Sequence, residues 1–176
     1  MVARRVVFLD RDGVLTIPRE VDGKGYAPRS SAELTFYLDS VESVHRLRAS
    51  GYAVVIVTNQ PDVAAGLMTQ ESLDEIHEVV RTSLGIDAIH TCPHVPTDLC
   101  SCRKPLPGLL LEEDQETPVD FPSSWMVGDR DSDTQAGLAA GCRTVFIDRG
   151  WTAETGSGAD VVVRTLTEAV TTILAS

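Results

Sequence analysis

The chain has 176 residues, 43% hydrophobic and 23% charged, with a formal net charge of −11 and a pI near 4.7. That length allows one domain, spanning 1–176, with a sizeable core. The acidic balance argues against nucleic acid or an anionic membrane as the main partner, because both need a basic footprint. It leaves room for a small phosphorylated molecule whose charge local cations or a metal neutralise.

The N-terminus, Met1-Val2-Ala3-Arg4-Arg5, is basic, but only four apolar residues follow before Asp10. No signal peptide or membrane span is expected, and the chain is expected in the cytoplasm. Residues 4–10 form the first strand. Its unbroken apolar run, Val6-Val7-Phe8-Leu9, reads as buried on both faces. It ends in two carboxylates spaced i, i+2, Asp10 and Asp12, then Gly13. Taken alone, this stretch is equally well read as a solvated acidic turn. Residues 16–39 are polar, contain Gly and Pro, and have no clear period. A connection this long is usually functional or disordered, and its departure from the acidic strand end favours function.

Asp39 or Ser40 caps a helix carrying Val41, Val44 and Leu47, with Gly51 as its stop. A second buried strand over 52–57 ends in Thr58-Asn59-Gln60. Thr69 caps a helix to about Leu84, with Leu73, Ile76, Val80 and Leu84 inward. A short strand over 86–91 leads into a Cys/His/Pro-rich loop at 92–107 and a short helix over 108–113. A fourth strand, 124–127, runs into Gly128-Asp129-Arg130-Asp131-Ser132-Asp133. A small-residue helix over 134–140, strands over 144–147 and 159–163, and a helix over 166–174 complete the chain. No repeat or low-complexity tract interrupts it. Apolar strands alternating with amphipathic helices predict an α/β fold, a parallel sheet with helices on both faces. Asp10/Asp12, Thr58/Asn59 and Asp129/Asp133 then share one edge, where open sheets of this kind place their ligands.

That edge has a definite chemistry. Converging carboxylates need a proton or a cation, and oxygen ligands of this kind suit Mg2+, with Asp129 as the third acid. Asp10 could attack phosphorus to give an aspartyl-phosphate. Asp12 could protonate the leaving alcohol and later deprotonate the hydrolytic water. Thr58 offers a hydroxyl and Lys104 a point charge to the transferring phosphoryl group. A second constellation, Cys92-Pro93-His94 and Cys100-Ser101-Cys102, has the spacing C-x-H-x5-C-x-C. Three thiolates and one imidazole make a closed tetrahedral set, so a structural Zn2+ is expected, with a redox cluster as the alternative. Closing that loop would stiffen it and fix Arg103-Lys104, which follow directly.

Asp10-Arg11-Asp12-Gly13, Thr58 after an apolar strand, Lys104, and Gly128-Asp129 with Asp133 follow the order of the four motifs of the haloacid dehalogenase (HAD) phosphatase superfamily, and the chain resembles that superfamily over most of its length. Phe8-Leu9-Asp10-Arg11-Asp12-Gly13, Thr58-Asn59-Gln60, Cys92-Pro93-His94 and Cys100-x-Cys102-Arg103-Lys104-Pro105 narrow the resemblance. They are similar to the D-glycero-D-manno-heptose 1,7-bisphosphate phosphatases and their relatives, the histidinol-phosphate phosphatases. The resemblance implies a three-layer, Rossmann-like, essentially capless fold. It implies Asp10 as nucleophile, Asp12 as acid/base, and Thr58 and Lys104 as phosphoryl stabilisers. Mg2+ would be held by Asp10, the Asp12 carbonyl and Asp129, with Asp133 an accessory acid. Substrate contacts are expected from Arg11, Asn59, Gln60, Pro61, Arg103 and Arg130, and specificity from the 16–28 segment. The family pattern Ser-Gly-(Ile/Val)-Ala-Arg-Gly after Thr-Asn-Gln reads here Pro61-Asp62-Val63-Ala64-Ala65-Gly66. The change removes a backbone donor, adds a negative charge, and costs a sugar bisphosphate one possible cation.

His45, His77 and His90 read as surface or core residues, Cys142 and Trp125 as core, and Trp151 as an exposed loop aromatic. Glu112, Glu113, Asp114 and Glu116 read as a solvated face. The expected partner is a small phosphorylated metabolite, with no nucleic acid and no membrane. A monomer is expected, with an oligomer left open. Alternatives are histidinol phosphate as substrate, a polynucleotide 3′-phosphatase, which the acidic pI disfavours, and a zinc-stabilised module that only binds a divalent cation.

Overall fold

The computed structural model describes residues 2–21, 24–150 and 153–176, so the expectations for Trp151 and for Asp22-Gly23 of the loop lie outside the described residues. Strands β1 (Val6–Leu9), β4 (Ala53–Asn59), β5 (Ala88–Cys92), β6 (Trp125–Gly128), β7 (Arg143–Ile147) and β8 (Val161–Val163) form one sheet in the order β5-β4-β1-β6-β7-β8. Every pairing in it is parallel. Strands β2 (Arg19–Val21) and β3 (Lys24–Tyr26) form a separate antiparallel hairpin.

The alternation of side chains along β1 divides the core in two. Val7 and Leu9 pack with Val54 and Ile56 under helices α1 (Ser40–Ala49), α2 (Gln70–Leu84) and α5 (Leu166–Leu174). Val6 and Phe8 pack with Val55 and Val57 under α3 (Gly108–Glu116) and α4 (Asp131–Ala140). Helices therefore cover both faces, giving the three layers expected. Among the described residues no second folded unit stands over the sheet edge, and the β2–β3 hairpin and the Cys/His loop are what border it.

The predicted helix ends hold at α2. The Thr69 hydroxyl accepts from Ser72 N, and Gly85 closes the helix at φ 70°. At α1 they hold in position: Asp39 is the N-cap residue, and Gly51, at φ 83°, follows the last turn. No side chain caps the helix, however: the Asp39 carboxylate accepts from the backbone N and the hydroxyl of Thr167 at 3.0 and 3.1 Å, and the Ser40 hydroxyl donates to Leu15 O at 2.8 Å. Val44 and Leu47 are buried as expected, while Val41 faces solvent. The segment 16–39 has structure that its sequence hides. Three-residue strands are too short to show a period of two, yet the hairpin forms there and a single 310 turn follows at Ser31–Glu33. Trp125 and Cys142 are core. His45 is exposed and His77 half-buried.

The solvated acidic face needs one correction. Glu113 is fully buried, because α3 turns it toward the sheet, where it pairs with Arg4 and with His90 Nε2. Burying a carboxylate demands such partners, and the same pair gives His90 a structural role.

Candidate active site

The site sits at the carboxyl ends of β1, β4 and β6, beside the point where the chain crosses from one flank of β1 to the other. The Asp10 backbone N–H continues the ladder to Val127 O at 3.0 Å, so its carboxylate leaves a fixed point. The backbone turns at Gly13, whose φ of 94° suits glycine, and a Cβ there would collide with the Asp129 carboxylate. Gly128 is required for a different reason. A side chain on it would strike Asp133, which approaches from the first turn of α4.

Lys104 ties these acids together. Its buried ammonium donates to Asp10 Oδ1 at 2.8 Å, to Val57 O at 2.7 Å, and lies 2.6 Å from Asp133 Oδ1. Its main chain is clamped as well: Lys104 N donates to Asn59 Oδ1 and Asn59 Nδ2 donates to Lys104 O, both at 3.1 Å. Asp133 also accepts Arg130 N at 3.0 Å, closing the first turn of α4.

Asp10, Asp129 and Asp133 place carboxylate oxygens within 4.8 Å of one another, all buried. One lysine neutralises only part of that charge. Burial, opposed by the Lys104 charge, pushes Asp10 up to about 6, and burial with the Asp10 and Asp133 charges pushes Asp129 up to about 8. Burial alone would lower Lys104, but Asp10 and Asp133 more than reverse it and hold the amine protonated. Asp129 Oδ1 is buried without a protein partner. A buried, under-neutralised set of oxygen donors with one acceptor unused fits a hard divalent cation such as Mg2+.

Asp12 is held differently. Arg11 Nε donates to both its oxygens at 3.1 Å and Arg11 Nη2 to Oδ2 at 2.8 Å. The Thr16 hydroxyl and Gln60 Nε2 each add a bond of 2.8 Å. Burial acts to raise this carboxyl, but the Arg11 charge and these hydrogen bonds outweigh it and hold Asp12 below the usual carboxylate range. The Asp12 carboxyl is thus held in its charged form in the free site. Thr58, nearly fully buried at the end of β4, accepts from Gln60 Nε2 at 2.8 Å.

The cavity over these acids has a volume of about 320 Å3. It brings together Asp10, Asp12, Thr58, Asn59, Pro61, Arg103, Lys104, Arg130 and Asp133 as expected. Two predicted substrate contacts are corrected. Arg11 is fully buried and spends its side chain on Asp12. Its charge lies close enough to α2 to add to the burial that lowers His77 to about 4. Gln60 is fully buried and joins Asp12 to Thr58, so it supports the site from behind. Arg103 lines the cavity and donates to His94 O at 3.0 Å. Arg130 lies 4.0 Å from Asp129 and 3.8 Å from Glu154, which also lines the cavity and accepts Asp131 N at 2.6 Å.

Three supporting residues escape a sequence reading. Thr16 reaches Asp12 only because Gly13 N bonds to Thr16 O and folds the loop back. Arg149, after β7, donates to Gly13 O at 2.8 Å and Val14 O at 3.2 Å and stacks on Tyr37, pinning the loop that carries Asp12. Arg29 pairs with Asp62 at 2.6 Å. Only Arg149, a cation at the end of a predicted strand, carried any signal.

Beside the cavity, Cys92, His94, Cys100 and Cys102 bring three sulfurs and a ring nitrogen within 4.8 Å of one another. His94 Nδ1 lies 3.5 Å from Cys92 Sγ and 3.3 Å from Cys102 Sγ, and the Cys92 and Cys100 sulfurs are 3.6 Å apart. This soft four-donor set fits Zn2+.

A family model for HAD-hydrolase-like proteins matches residues 101–169. The D-glycero-β-D-manno-heptose-1,7-bisphosphate 7-phosphatase of Yersinia pestis is 35% identical, over 92% of this chain and 91% of its own. That of Bordetella bronchiseptica is 35% identical, over 88% of this chain and 83% of its own. A crystal structure of the D,D-heptose 1,7-bisphosphate phosphatase from B. bronchiseptica, complexed with magnesium and phosphate, superposes with a TM-score of 0.83 at 30% identity, covering 97% of this chain and 98% of that one. Sequence relatedness over nearly the whole chain and a shared architecture agree with the strand-end acids: this chain belongs to the HAD family of phosphatases, with the heptose 1,7-bisphosphate 7-phosphatases among its relatives.

Proposed function

We propose that this phosphatase takes D-glycero-β-D-manno-heptose 1,7-bisphosphate and releases its 7-phosphate through an aspartyl-phosphate at Asp10. The observation that carries the chemistry is the Asp10 carboxylate, fixed at a strand end and bridged by Lys104 to Asp133. The substrate is supported by the similarity to heptose bisphosphate phosphatases over 92% of the chain.

Asp10 attacks phosphorus in line while the bond to the sugar oxygen breaks. Asp12 takes up a proton from solvent as the substrate binds and gives it to that oxygen. The incoming phosphate dianion opposes the Arg11 charge at Asp12 and so raises its affinity for the proton it must donate. Water then attacks the aspartyl-phosphate, Asp12 takes the proton from that water, and the bond between phosphorus and Asp10 breaks. Lys104 and the Thr58 hydroxyl hold the transferring phosphoryl oxygens. Mg2+, held by Asp10, Asp129 and the Asp12 carbonyl with Asp133 alongside, would neutralise the carboxylates so that a dianion can approach. Zn2+ at Cys92, His94, Cys100 and Cys102 would hold the loop that delivers Arg103 and Lys104. Among the described residues, Arg103 and Arg130 are the cavity cations beside Lys104 that can meet the substrate, with Asn59 and Pro61 in the wall.

The chain acts as a single catalytic unit, flanked by the 16–39 segment and the 92–104 metal loop. It works as a cytoplasmic monomer on a free metabolite, away from nucleic acid and membranes. The charge of −11 disfavours nucleic acid and anionic membranes as partners. No described helix is long and apolar enough to cross a membrane. The test is kcat/KM across a panel of phosphorylated metabolites with Mg2+, including the heptose bisphosphate and histidinol phosphate. The heptose bisphosphate should rank first. Preference for histidinol phosphate would overturn the substrate while leaving the chemistry intact.

A further inference from the structure

Two segments far apart in sequence contribute to the lining of the cavity. Pro18, Tyr26 and Ala27 come from the hairpin, and Pro61 and Asp62 from the turn after β4. Arg29, two residues past Ala27, crosses between them. Its Nε donates to Asp62 Oδ2 at 2.6 Å, with the two side chains 35% and 18% exposed. A short, partly desolvated, charge-assisted bond of this kind is stronger than an ordinary surface ion pair.

Both ends of the pair are anchored. Asp62 O accepts from Leu67 N at 2.8 Å and Met68 N at 3.1 Å, which closes its turn. Arg29 N donates to Glu33 Oε2 at 2.8 Å, and Glu33 lies 3.1 Å from Arg19 Nε on β2. A force on Arg29 is therefore transmitted to the hairpin. The pair also has an electrostatic effect. Asp62 lines a cavity that receives an anion, and Arg29 cancels its charge.

We propose that the Arg29–Asp62 ion pair is a specificity clasp. It sets the distance of the hairpin from the β4 turn and masks Asp62, so that phosphate esters long enough to reach the hairpin are favoured over short ones. Arg29 acts through Asp62 and the hairpin, and so is a positioning residue. This proposal accounts for the Pro61-Asp62 departure from the family pattern: the aspartate is the fixed half of the clasp. It holds for whichever extended ester the enzyme prefers.

The experiment compares KM and kcat of wild type, Arg29→Lys, Arg29→Gln and Arg29→Asp. The substrates are the extended ester the wild type turns over best and p-nitrophenyl phosphate, which is short enough to seat wholly at Asp10 and Lys104. Arg29→Gln should raise KM for the extended ester about tenfold, equivalent to about 1.4 kcal/mol, with kcat changed less than about twofold. Arg29→Asp should raise it further, Arg29→Lys should stay near wild type, and constants for p-nitrophenyl phosphate should not move. Equal changes for both substrates, a loss confined to kcat, or no change in Arg29→Gln would overturn the clasp. Failure to turn over the heptose bisphosphate would count against the function proposed above, and leaves the selectivity ratio measurable on another ester.

Discussion

The floor of the cavity and its rim are built in opposite ways. The floor is carried by the sheet. Asp10, Thr58 and Asp129 stand at or just past the ends of adjacent parallel strands, with Asp12 two residues beyond Asp10, and the ladder continues through Asp10 N to Val127 O. The rim depends on side-chain bonds. Arg29 and Asp62 are 33 residues apart, on segments joined by no shared strand. The proposed chemistry is thus placed at the strand ends, and the proposed selectivity on segments joined to each other by a side-chain bond. Chemistry tolerates little displacement, while a rim that only admits or excludes a substrate tolerates more.

This contrast orders the expected effects of substitution. Asp10→Asn removes the proposed nucleophile and should cost at least about 10^4-fold in kcat with the fold retained, as circular dichroism and turnover together will show. Gly13→Ala keeps every catalytic group but drives a methyl into Asp129 at a left-handed backbone position. A misplacement of about 1 Å there should cost about 10^2-fold in kcat. Cys100→Ser tests whether the metal loop belongs with the floor or the rim. Zinc content should fall from about one per chain, and kcat should drop by about 10- to 100-fold because Lys104 loses its anchored loop. A purely rim-like effect on KM would place the loop with selectivity. Arg149→Gln releases the Gly13 and Val14 carbonyls and the stack on Tyr37. It should lower kcat by about tenfold or less, with KM little changed, since it acts on the Asp12 loop alone.

The same division decides what the sequence reveals. The floor is legible because each acid follows an apolar run, and a buried strand leaves only its end for chemistry. The Cys/His set is legible because chelating pairs are close in sequence. Arg11 and Gln60 read as substrate contacts because of their neighbours, but both are fully buried, Arg11 spent on Asp12 and Gln60 on Asp12 and Thr58. Glu113 reads as solvated because acids surround it in sequence, while the helix presents it to Arg4 and His90. The hairpin and its clasp are the least legible. The strands are three residues long, Arg29 looks like an ordinary loop charge, and Asp62 reads only as an added negative charge until the fold brings the two together.

The central claim is that Asp10 itself carries the phosphoryl group. Enzyme quenched during steady turnover and reduced with borohydride tests it most directly, since an acyl-phosphate on an aspartate is reduced to homoserine. The account predicts homoserine at position 10, only in the presence of substrate, and none in Asp10→Asn. An unmodified Asp10 in an enzyme turning over at full rate, or turnover surviving in Asp10→Asn, would contradict it.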